Sequence, residues 1–278
     1  MRKSGGKRLS RRLGIESLRR VPRVLFSKEV SLMDSLATSF KEKTEEAGIT
    51  LAEGQIDKFL LFLQELKDWN RKFNLTSIDD EEEILVKHFI DSLSCLSLVP
   101  DELYGEIRKV IDVGSGAGFP GIPLRIYRRE LHLTLLEATG KKVEFLIHIS
   151  RKLGLEKDLQ IVHGRAEEYG KKAEYREKYD LAVSRAVSDL AVLAEYCLPF
   201  VRVGGIFISQ KGRQIGDELK RARKAIEILG GRLRQVLPYR LLLRGDELER
   251  NLVLVDKVEK TPEEYPRRPG MAAKRPIR

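Results

Sequence analysis

The sequence predicts an α/β fold, a Rossmann-like, doubly wound and mostly parallel sheet that follows a cap of helices. Three observations lead to this prediction. An apolar run, Val110 to Val113, stops at a turn with four glycines, and a helical pattern begins directly after the turn. Downstream, apolar runs typical of buried strands alternate with helical patterns, as in parallel sheets. Upstream, apolar residues recur at three- and four-residue steps, which predicts helices.

The same patterns divide the chain into four parts. We predict a basic extension over residues 1–32, a helical cap over 33–98, the α/β domain over 99–260 and a basic tail over 261–278. The extension has no sustained hydrophobic period, so we expect it to be disordered. Three origins for it stay open: an RNA-binding arm, an Arg-rich transit peptide, or upstream residues added by a wrong start codon.

The net charge of +10 is concentrated at the two ends of the chain. Residues 1–32 hold ten Lys or Arg against two Glu, and the last eighteen residues hold five against two. The rest of the chain is therefore close to neutral. Basic ends bind phosphate backbones without reading sequence, although most such runs are simply solvated. The charge is weak support for an RNA partner.

Several classes of protein are disfavoured by composition. No apolar run approaches the roughly eighteen residues of a membrane span, so we expect no membrane association. Cys95 and Cys197 each lie in an apolar helical pattern without a C-x-x-C partner, which predicts small buried side chains. With neither a disulfide framework nor a zinc spacing, we expect a cytoplasmic protein with no metal.

The turn after the first predicted strand, KVIDVGSGAGFPG, has the composition of a cofactor site. Its glycines, Gly114, Gly116, Gly118 and Gly121, let the backbone turn sharply and let a ligand lie against the main chain. About twenty residues later the next apolar run ends in Glu137, where a carboxylate can accept hydrogen bonds from a ribose. Strand, glycine turn, helix, strand and acid together predict a nucleoside cofactor.

Two cofactors remain open from the turn alone. Its last three glycines formally satisfy G-x-G-x-x-G, the dinucleotide fingerprint, but in that motif the first glycine closes the strand. Here Gly114 closes the strand, and the sixth position counted from it is Phe119. With Asp112 at the strand end, the turn fits hydrophobic-Asp-hydrophobic-G-x-G-x-G better. That pattern favours S-adenosylmethionine (SAM), with a nicotinamide cofactor as the alternative.

The residues after the fourth predicted strand narrow the choice of the atom that accepts the methyl group. The Asn/Asp-Pro-Pro-aromatic turn that holds exocyclic amines of bases is replaced by Ser-Arg-Ala-Val, and Cys197 lies inside a later helix. A ring nitrogen such as guanine N7 needs neither an amine-holding turn nor a cysteine nucleophile. Arg185 in this turn suits a carboxylate or phosphate, and Lys211, after the fifth strand, suits either a phosphate or solvent. In the cap, Asn74, His88 and Asp91 interrupt the apolar pattern and are further candidates.

Motifs spread from Met33 to the C-terminus resemble the family of bacterial small-subunit rRNA guanine-N7 methyltransferases (RsmG/GidB). They are WNRKFNLTSI, VKHFIDSL, VIDVGSGAGFPGIPL, LLEATGKKVEFL, RAEE, VSRAVSDL and YPRRPGMAAKRPI. The resemblance implies a class I SAM-dependent methyltransferase fold and supplies no catalytic base. With the turn, it gives these candidate cofactor-binding residues: Gly114, Gly116, Gly118, Phe119, Glu137, Ala138, Thr139, Ala166, Glu167 and Arg185.

The resemblance also implies the partners. The substrate would be a guanine in the decoding-region loop of small-subunit (16S) ribosomal RNA, within the small ribosomal subunit, and we expect the enzyme to be a monomer. Candidates for substrate positioning are Arg185, Asn74, His88, Asp91 and Lys211. Two other functions stay open, a nicotinamide-dependent dehydrogenase and a non-catalytic RNA-binding assembly factor.

Overall fold

A computed structural model of the chain describes residues 23–98, 107–185 and 188–278, with side chains from residue 33 onward. The described strands are β1 (Lys109–Val113), β2 (His132–Glu137), β3 (Leu159–His163), β4 (Tyr179–Ser184), β5 (Val201–Lys211), β6 (Gly231–Leu243) and β7 (Asp246–Lys257). Residues 1–22 of the predicted basic extension lie outside the described residues.

Helices precede the sheet and alternate with its strands. The cap contains α1 (Arg23–Glu46), α2 (Glu53–Phe73), α3 (Glu81–Ile84) and α4 (Asp91–Ser97). The helices of the α/β part are α5 (Gly121–Tyr127), α6 (Gly140–Lys152), α7 (Ala166–Tyr169), α8 (Leu190–Cys197) and α9 (Gly216–Ile228), and α10 (Met271–Lys274) lies in the tail. None of these described helices has the length and apolarity needed to cross a membrane.

The seven described strands form one sheet in the order β3-β2-β1-β4-β5-β7-β6. Strands β1 to β5 are parallel, and β7 runs antiparallel between β5 and β6. Arg244 and Gly245 connect β6 to β7 and both have positive φ, as a two-residue hairpin turn requires. This order reverses between β1 and β4, so ligands are expected outside the carboxyl ends of those strands. The predicted doubly wound, mostly parallel sheet is confirmed.

Side chains alternate along the strands and supply a separate core to each face of the sheet. On one face Val110 and Leu135 pack with α5, α6 and the cap helices, where Phe40, Phe59 and Phe89 are fully buried. The other face packs against α8 and α9. The cap thus shares a core with the sheet, which holds it beside the carboxyl end of β1.

Helix α1 begins earlier than the sequence pattern indicates. It starts at Arg23, so the predicted boundary at residue 32 between extension and cap lies inside a helix. The predicted boundary between cap and α/β domain falls at residue 98, where the described residues are interrupted. These domain limits stay predictions.

Candidate active site

The first half of the glycine turn is open, and the backbone conformation there favours glycine. Gly114 and Gly116 have φ of +75° and +59°, the left-handed region that side chains disfavour. A Cβ placed on Gly114 meets no atom within 4 Å, and Gly114 is exposed. These two residues therefore form a shallow cradle at the carboxyl end of β1.

The second half of the turn is packed. A Cβ on Gly118 would lie 2.7 Å from Cγ1 of Ile122, and one on Gly121 would lie 2.5 Å from Cδ2 of Leu135 and 2.8 Å from Oδ2 of Asp112. The Gly121 N–H donates to that Asp112 oxygen at 2.9 Å. Helix α5 can approach the sheet this closely only because side chains are missing, so these two glycines serve packing.

Asp112 is fully buried beneath the turn and only half satisfied. Its Oδ1 has no hydrogen-bond partner among the described residues, while Oδ2 accepts from Gly121. Burial raises the pKa of Asp112 to about 7, and the neighbouring charge of Glu137 pushes in the same direction. An unsatisfied buried carboxyl oxygen is costly, and this one lies directly beneath the glycine turn.

Glu137 closes the turn from the end of β2. Its Oε2 accepts from the Gly116 N–H at 2.8 Å and its Oε1 from the Thr139 N–H at 2.8 Å. A carboxylate has about four acceptor sites, so both oxygens keep capacity for a ribose diol. The sequence predicted Glu137 as a ligand of the cofactor. That Glu137 also holds the backbone of the glycine turn is visible only in the structure.

The other predicted cofactor residues follow β2 and β3. Ala138 and Thr139 are exposed beside the turn, and Ala166 and Glu167 are buried at the start of α7. The Glu167 carboxylate accepts from the backbone N–H of Gly270 at 2.9 Å. Glu167 therefore binds the C-terminal tail, a contact that its predicted role in cofactor binding did not include.

On the cap side, the helix between α3 and α4 widens into a π-helical segment, Leu85–Ile90. Such segments leave backbone carbonyls free for other donors and are frequent at functional sites. Arg185, at the end of β4, donates to one of these carbonyls. Its Nη1 donates to the Lys87 carbonyl at 2.8 Å, and its Nη2 lies 3.1 Å from Nδ1 of His88. Arg185 thus joins the cap to the sheet directly beside the turn.

An aromatic stack connects the same groups to the glycine turn. The ring of Phe119 stacks on His88 with centroids 4.6 Å apart and on Phe62 at 5.2 Å. The Arg185 guanidinium carbon lies 4.8 Å from the Phe119 centroid, which is cation–π distance. Phe119, a predicted cofactor-binding residue, is 5% exposed and packs against both His88 and Arg185.

His88 is neutral in this arrangement. Burial lowers the pKa of His88 to about 3, and the positive charge of Arg185 adds to the effect. Because an arginine can only donate, Nδ1 accepts from Arg185 and the proton is assigned to Nε2, which then donates to Thr76 Oγ1 at 2.9 Å. Both ring nitrogens are thus engaged, so His88 positions Arg185.

Asp91 lies behind Arg185. Its Oδ2 is 3.4 Å from Arg185 Nη1, and its Oδ1 accepts from the Tyr239 hydroxyl at 2.7 Å. Gln210 donates to the backbone carbonyl of Asp91. Sequence reasoning found Asp91 and missed Tyr239 and Gln210. Polar residues in largely apolar strands were the signal available for them.

Two predicted residues lie outside this cluster. Asn74 ends α2 in the left-handed conformation with its side chain exposed, a capping role that asparagine commonly fills. Lys211 is buried, donates to the Ser188 carbonyl and forms an ion pair with Glu218 at 2.6 Å. Lys211 therefore tethers the segment after β4 to α9, and no contact brings it to Arg185.

The pH dependence of folding stability tests the neutral state of His88. In the unfolded chain the pKa of His88 is about 6.5, whereas in the folded protein it is about 3. As pH falls below 6.5, the unfolded chain therefore binds a proton at His88 that the folded protein does not bind. The stabilisation linked to His88 is therefore complete above pH 6.5 and is lost below it. Between pH 7.5 and pH 5, we expect the free energy of unfolding of the wild type to fall by about 2 kcal/mol more than that of His88→Gln. Urea unfolding of both proteins at several pH values measures this, and a constant difference would contradict it.

Comparison with known proteins identifies the family. The family model for rRNA small subunit methyltransferase G matches residues 55–242. A ribosomal RNA small subunit methyltransferase G from Alkaliphilus metalliredigens is 47% identical over 238 residues, 86% of this chain and 97% of the relative. The chain belongs to this family. Another member, from Pelotomaculum thermopropionicum, is 46% identical over 88% of this chain and 100% of its own length.

A weaker similarity to a solved structure is also found. A putative O-methyltransferase from Klebsiella pneumoniae has a TM-score of 0.47 and 14% identity over 70% of this chain and 90% of that one. The strand order given above and membership of the methyltransferase family assign the fold to class I SAM-dependent methyltransferases.

The turn fits SAM, the cofactor of this family of enzymes. The open cradle at Gly114 and Gly116 admits a ligand against the main chain, and the unsatisfied Oδ1 of Asp112 lies beneath the same turn. Glu137 retains acceptor capacity for a ribose, and Ala138 and Thr139 border it with exposed surface. These residues would hold the amino-acid and nucleoside parts, which contain no phosphate. Their individual roles stay predictions.

Proposed function

We propose that this chain transfers the methyl group of SAM to N7 of a guanine in small-subunit ribosomal RNA. Membership of the family of rRNA small subunit methyltransferases supports the substrate class. The choice of N7 as the methyl acceptor depends on one observation. The side chains that could serve as a general base or as a nucleophile are either hydrogen-bonded or buried. Both nitrogens of His88 are hydrogen-bonded, and both cysteines are fully buried.

Guanine N7 suits a site of this kind. When bound, SAM supplies an electrophilic methyl group on a sulfonium. Guanine N7 has a lone pair in the ring plane and no proton to lose, so neither a general base nor a covalent intermediate is required. Positioning and exclusion of water then supply the catalysis. The stack of Phe119 on His88, fixed by Arg185, is a rigid wall of the type that such positioning needs.

Other base atoms are less compatible with these residues. Methylation of a pyrimidine carbon needs a thiolate, whereas burial raises the pKa of Cys95 and of Cys197 well above that of a free thiol. Methylation of an exocyclic amine typically uses an Asn/Asp-Pro-Pro-aromatic turn, and here Ser184 and Arg185 occupy the first two positions. Both observations support the ring nitrogen.

We assign the following roles within this proposal. Gly114 and Gly116 let SAM approach the backbone, and Glu137 binds the ribose. Arg185 holds the carboxylate of SAM or a phosphate of the RNA, since its guanidinium is fixed by the cap. His88 positions Arg185. We also propose that the enzyme acts as a monomer, in the cytoplasm, on RNA within the small ribosomal subunit.

Labelled methyl transfer tests the proposal. Small subunits purified from cells that lack this gene would be incubated with the protein and labelled SAM, and the RNA then cleaved chemically at N7-methylguanine. One new cleavage in a small-subunit loop is expected. Label without cleavage at N7-methylguanine would overturn the choice of atom. SAM binding without label on particles or free RNA would overturn the enzymatic role, and protection against heat by NADH but not SAM would overturn the cofactor.

A further inference from the structure

The C-terminal tail is folded onto the α/β domain. Arg267 forms a bidentate ion pair with Glu195, which is 1% exposed, at 2.6 and 2.9 Å. The guanidinium of Arg176 donates to four backbone carbonyls, two of which are Tyr265 at 2.8 Å and Thr261 at 2.6 Å. Charge-assisted contacts to a buried carboxylate are strong. The tail therefore has a fixed position.

This position is next to the cofactor site. The backbone N–H of Gly270 donates to Glu167 at the start of α7, and α7 follows β3 at the carboxyl edge of the sheet. Ala272, within α10, is 1% exposed and so anchors the turn after Gly270. The residues around Gly270 are consequently held beside the edge of the sheet where the methyl donor is proposed to bind.

The anchored tail presents positive charge to solvent. Four of its basic side chains are exposed: Arg268, Lys274, Arg275 and Arg278. We call these four residues the tail surface. None of them forms an ion pair with a described residue, including Glu263 and Glu264 at the start of the tail. Arg165, exposed directly before α7, is a further cation without an ion pair among the described residues.

Elsewhere in the described chain many basic side chains are neutralised locally. Arg213 pairs with Glu249 at 2.6 Å, Arg202 with Asp180 at 2.7 Å, and Arg244 with both Asp80 and Glu82. The cations of the tail surface have no such partner among the described residues, and the anchored tail holds them beside the proposed cofactor site. Grouped, unpaired cations on a rigid support attract a polyanion, with release of its counterions.

We propose that the tail surface binds the sugar–phosphate backbone of the RNA substrate and holds it at the carboxyl edge of the sheet. This inference rests on the proposed function. Its contacts are to phosphates, so the tail surface contributes affinity and register and does not read the base. Arg267 belongs to the anchor, through Glu195, and is not part of the RNA contact.

Two charge-neutralised proteins test the inference. In one, the tail surface is changed by R268Q, K274Q, R275Q and R278Q. In the control, four exposed cations at the opposite, amino-terminal edge of the sheet are changed by R108Q, K109Q, K157Q and K178Q. Both proteins lose the same formal charge, and neither change touches Glu167, Glu195 or the glycine turn. Thermal melts and SAM titration establish that fold and cofactor binding are retained.

Particle binding is measured by filter retention at several salt concentrations, and methyl transfer is measured on the same particles. Each phosphate contact with a single strand contributes about 0.7 to the slope of log K against log salt, so loss of the tail surface lowers that slope by about 2 to 3. We expect the KM for particles to rise about tenfold or more, with kcat little changed. The control should match the wild type in both respects.

The outcomes separate this inference from the proposed function. Equal slopes for the tail variant and the wild type would overturn the role of the tail surface, whether or not methyl is transferred. Equal losses in the tail variant and the control would also overturn it, because net charge alone would then explain the effect. If the wild type binds particles with a slope that depends on the tail surface but transfers no methyl, the tail inference stands and the proposed function fails.

Discussion

Arg185→Lys should lower methyl transfer by about 100-fold while reducing stability by only about 1 to 2 kcal/mol. The arginine donates from two nitrogens to two different groups, the Lys87 carbonyl and His88 Nδ1, and it stacks on Phe119. Lysine keeps the charge beside Asp91 but cannot reproduce the planar two-nitrogen contact. Transfer to small subunits at saturating SAM, with urea unfolding of the same preparations, measures both effects.

Arg125→Lys is the matched control. Arg125 is also a buried arginine that donates to backbone carbonyls, those of Lys157 at 2.8 Å and of Arg129, but it lies at the other end of α5. Its replacement should reduce stability and leave transfer within about twofold of the wild type. Equal transfer by Arg185→Lys and the wild type would contradict the positioning role. So would equal losses of transfer in the two variants, since stability alone would then account for them.

Two glycine substitutions within the same turn should rank in opposite order for loss of cofactor affinity and for loss of stability. Gly114→Ala places a methyl group in the open cradle, so SAM affinity should fall about tenfold or more, and the φ of +75° should cost about 1 to 2 kcal/mol. Gly121→Ala forces a Cβ to within 2.5 Å of Leu135, so it should cost about 3 kcal/mol or more. Urea unfolding and calorimetric titration with SAM measure the two quantities.

Gly114→Ala and Gly121→Ala control for each other because both substitutions add the same methyl group. At a temperature where both variants are folded, Gly121→Ala should keep more of its SAM affinity than Gly114→Ala. If the more destabilised variant were Gly114→Ala, the division of the turn into an open and a packed half would be wrong. If SAM affinity were unchanged in Gly114→Ala, the cradle would not be the cofactor site.

The sequence determined the fold class and predicted where the site lies. Local patterns were sufficient for this, since strand, glycine turn and helix are adjacent in the chain and their hydrophobic periods are visible without tertiary contacts. Glu137 was also accessible, because it ends the next strand and the carboxyl ends of parallel strands meet at one edge. Arg185 was indicated by its place after the fourth predicted strand, and family motifs added Phe119.

Only the tertiary structure decided which of these residues act together. The pairing of Arg185 with His88 joins positions 97 residues apart and depends on a π-helical segment that the apolar pattern of the cap did not indicate. The sequence also did not show that Lys211 lies apart from Arg185 and His88. That position follows from its ion pair with Glu218. Such partners depend on how elements pack, and no local spacing encodes that.

The basic tail illustrates the division most clearly. Composition alone determined its charge, and a run of that composition is compatible with a solvated, disordered end. Its fixed position depends on contacts from Arg267 to Glu195 and from Gly270 to Glu167, which connect residues 72 and 103 positions apart. A carboxylate buried in one element and a donor in another become partners only when the sheet and its helices bring them together, because burial of the carboxylate makes that pairing favourable.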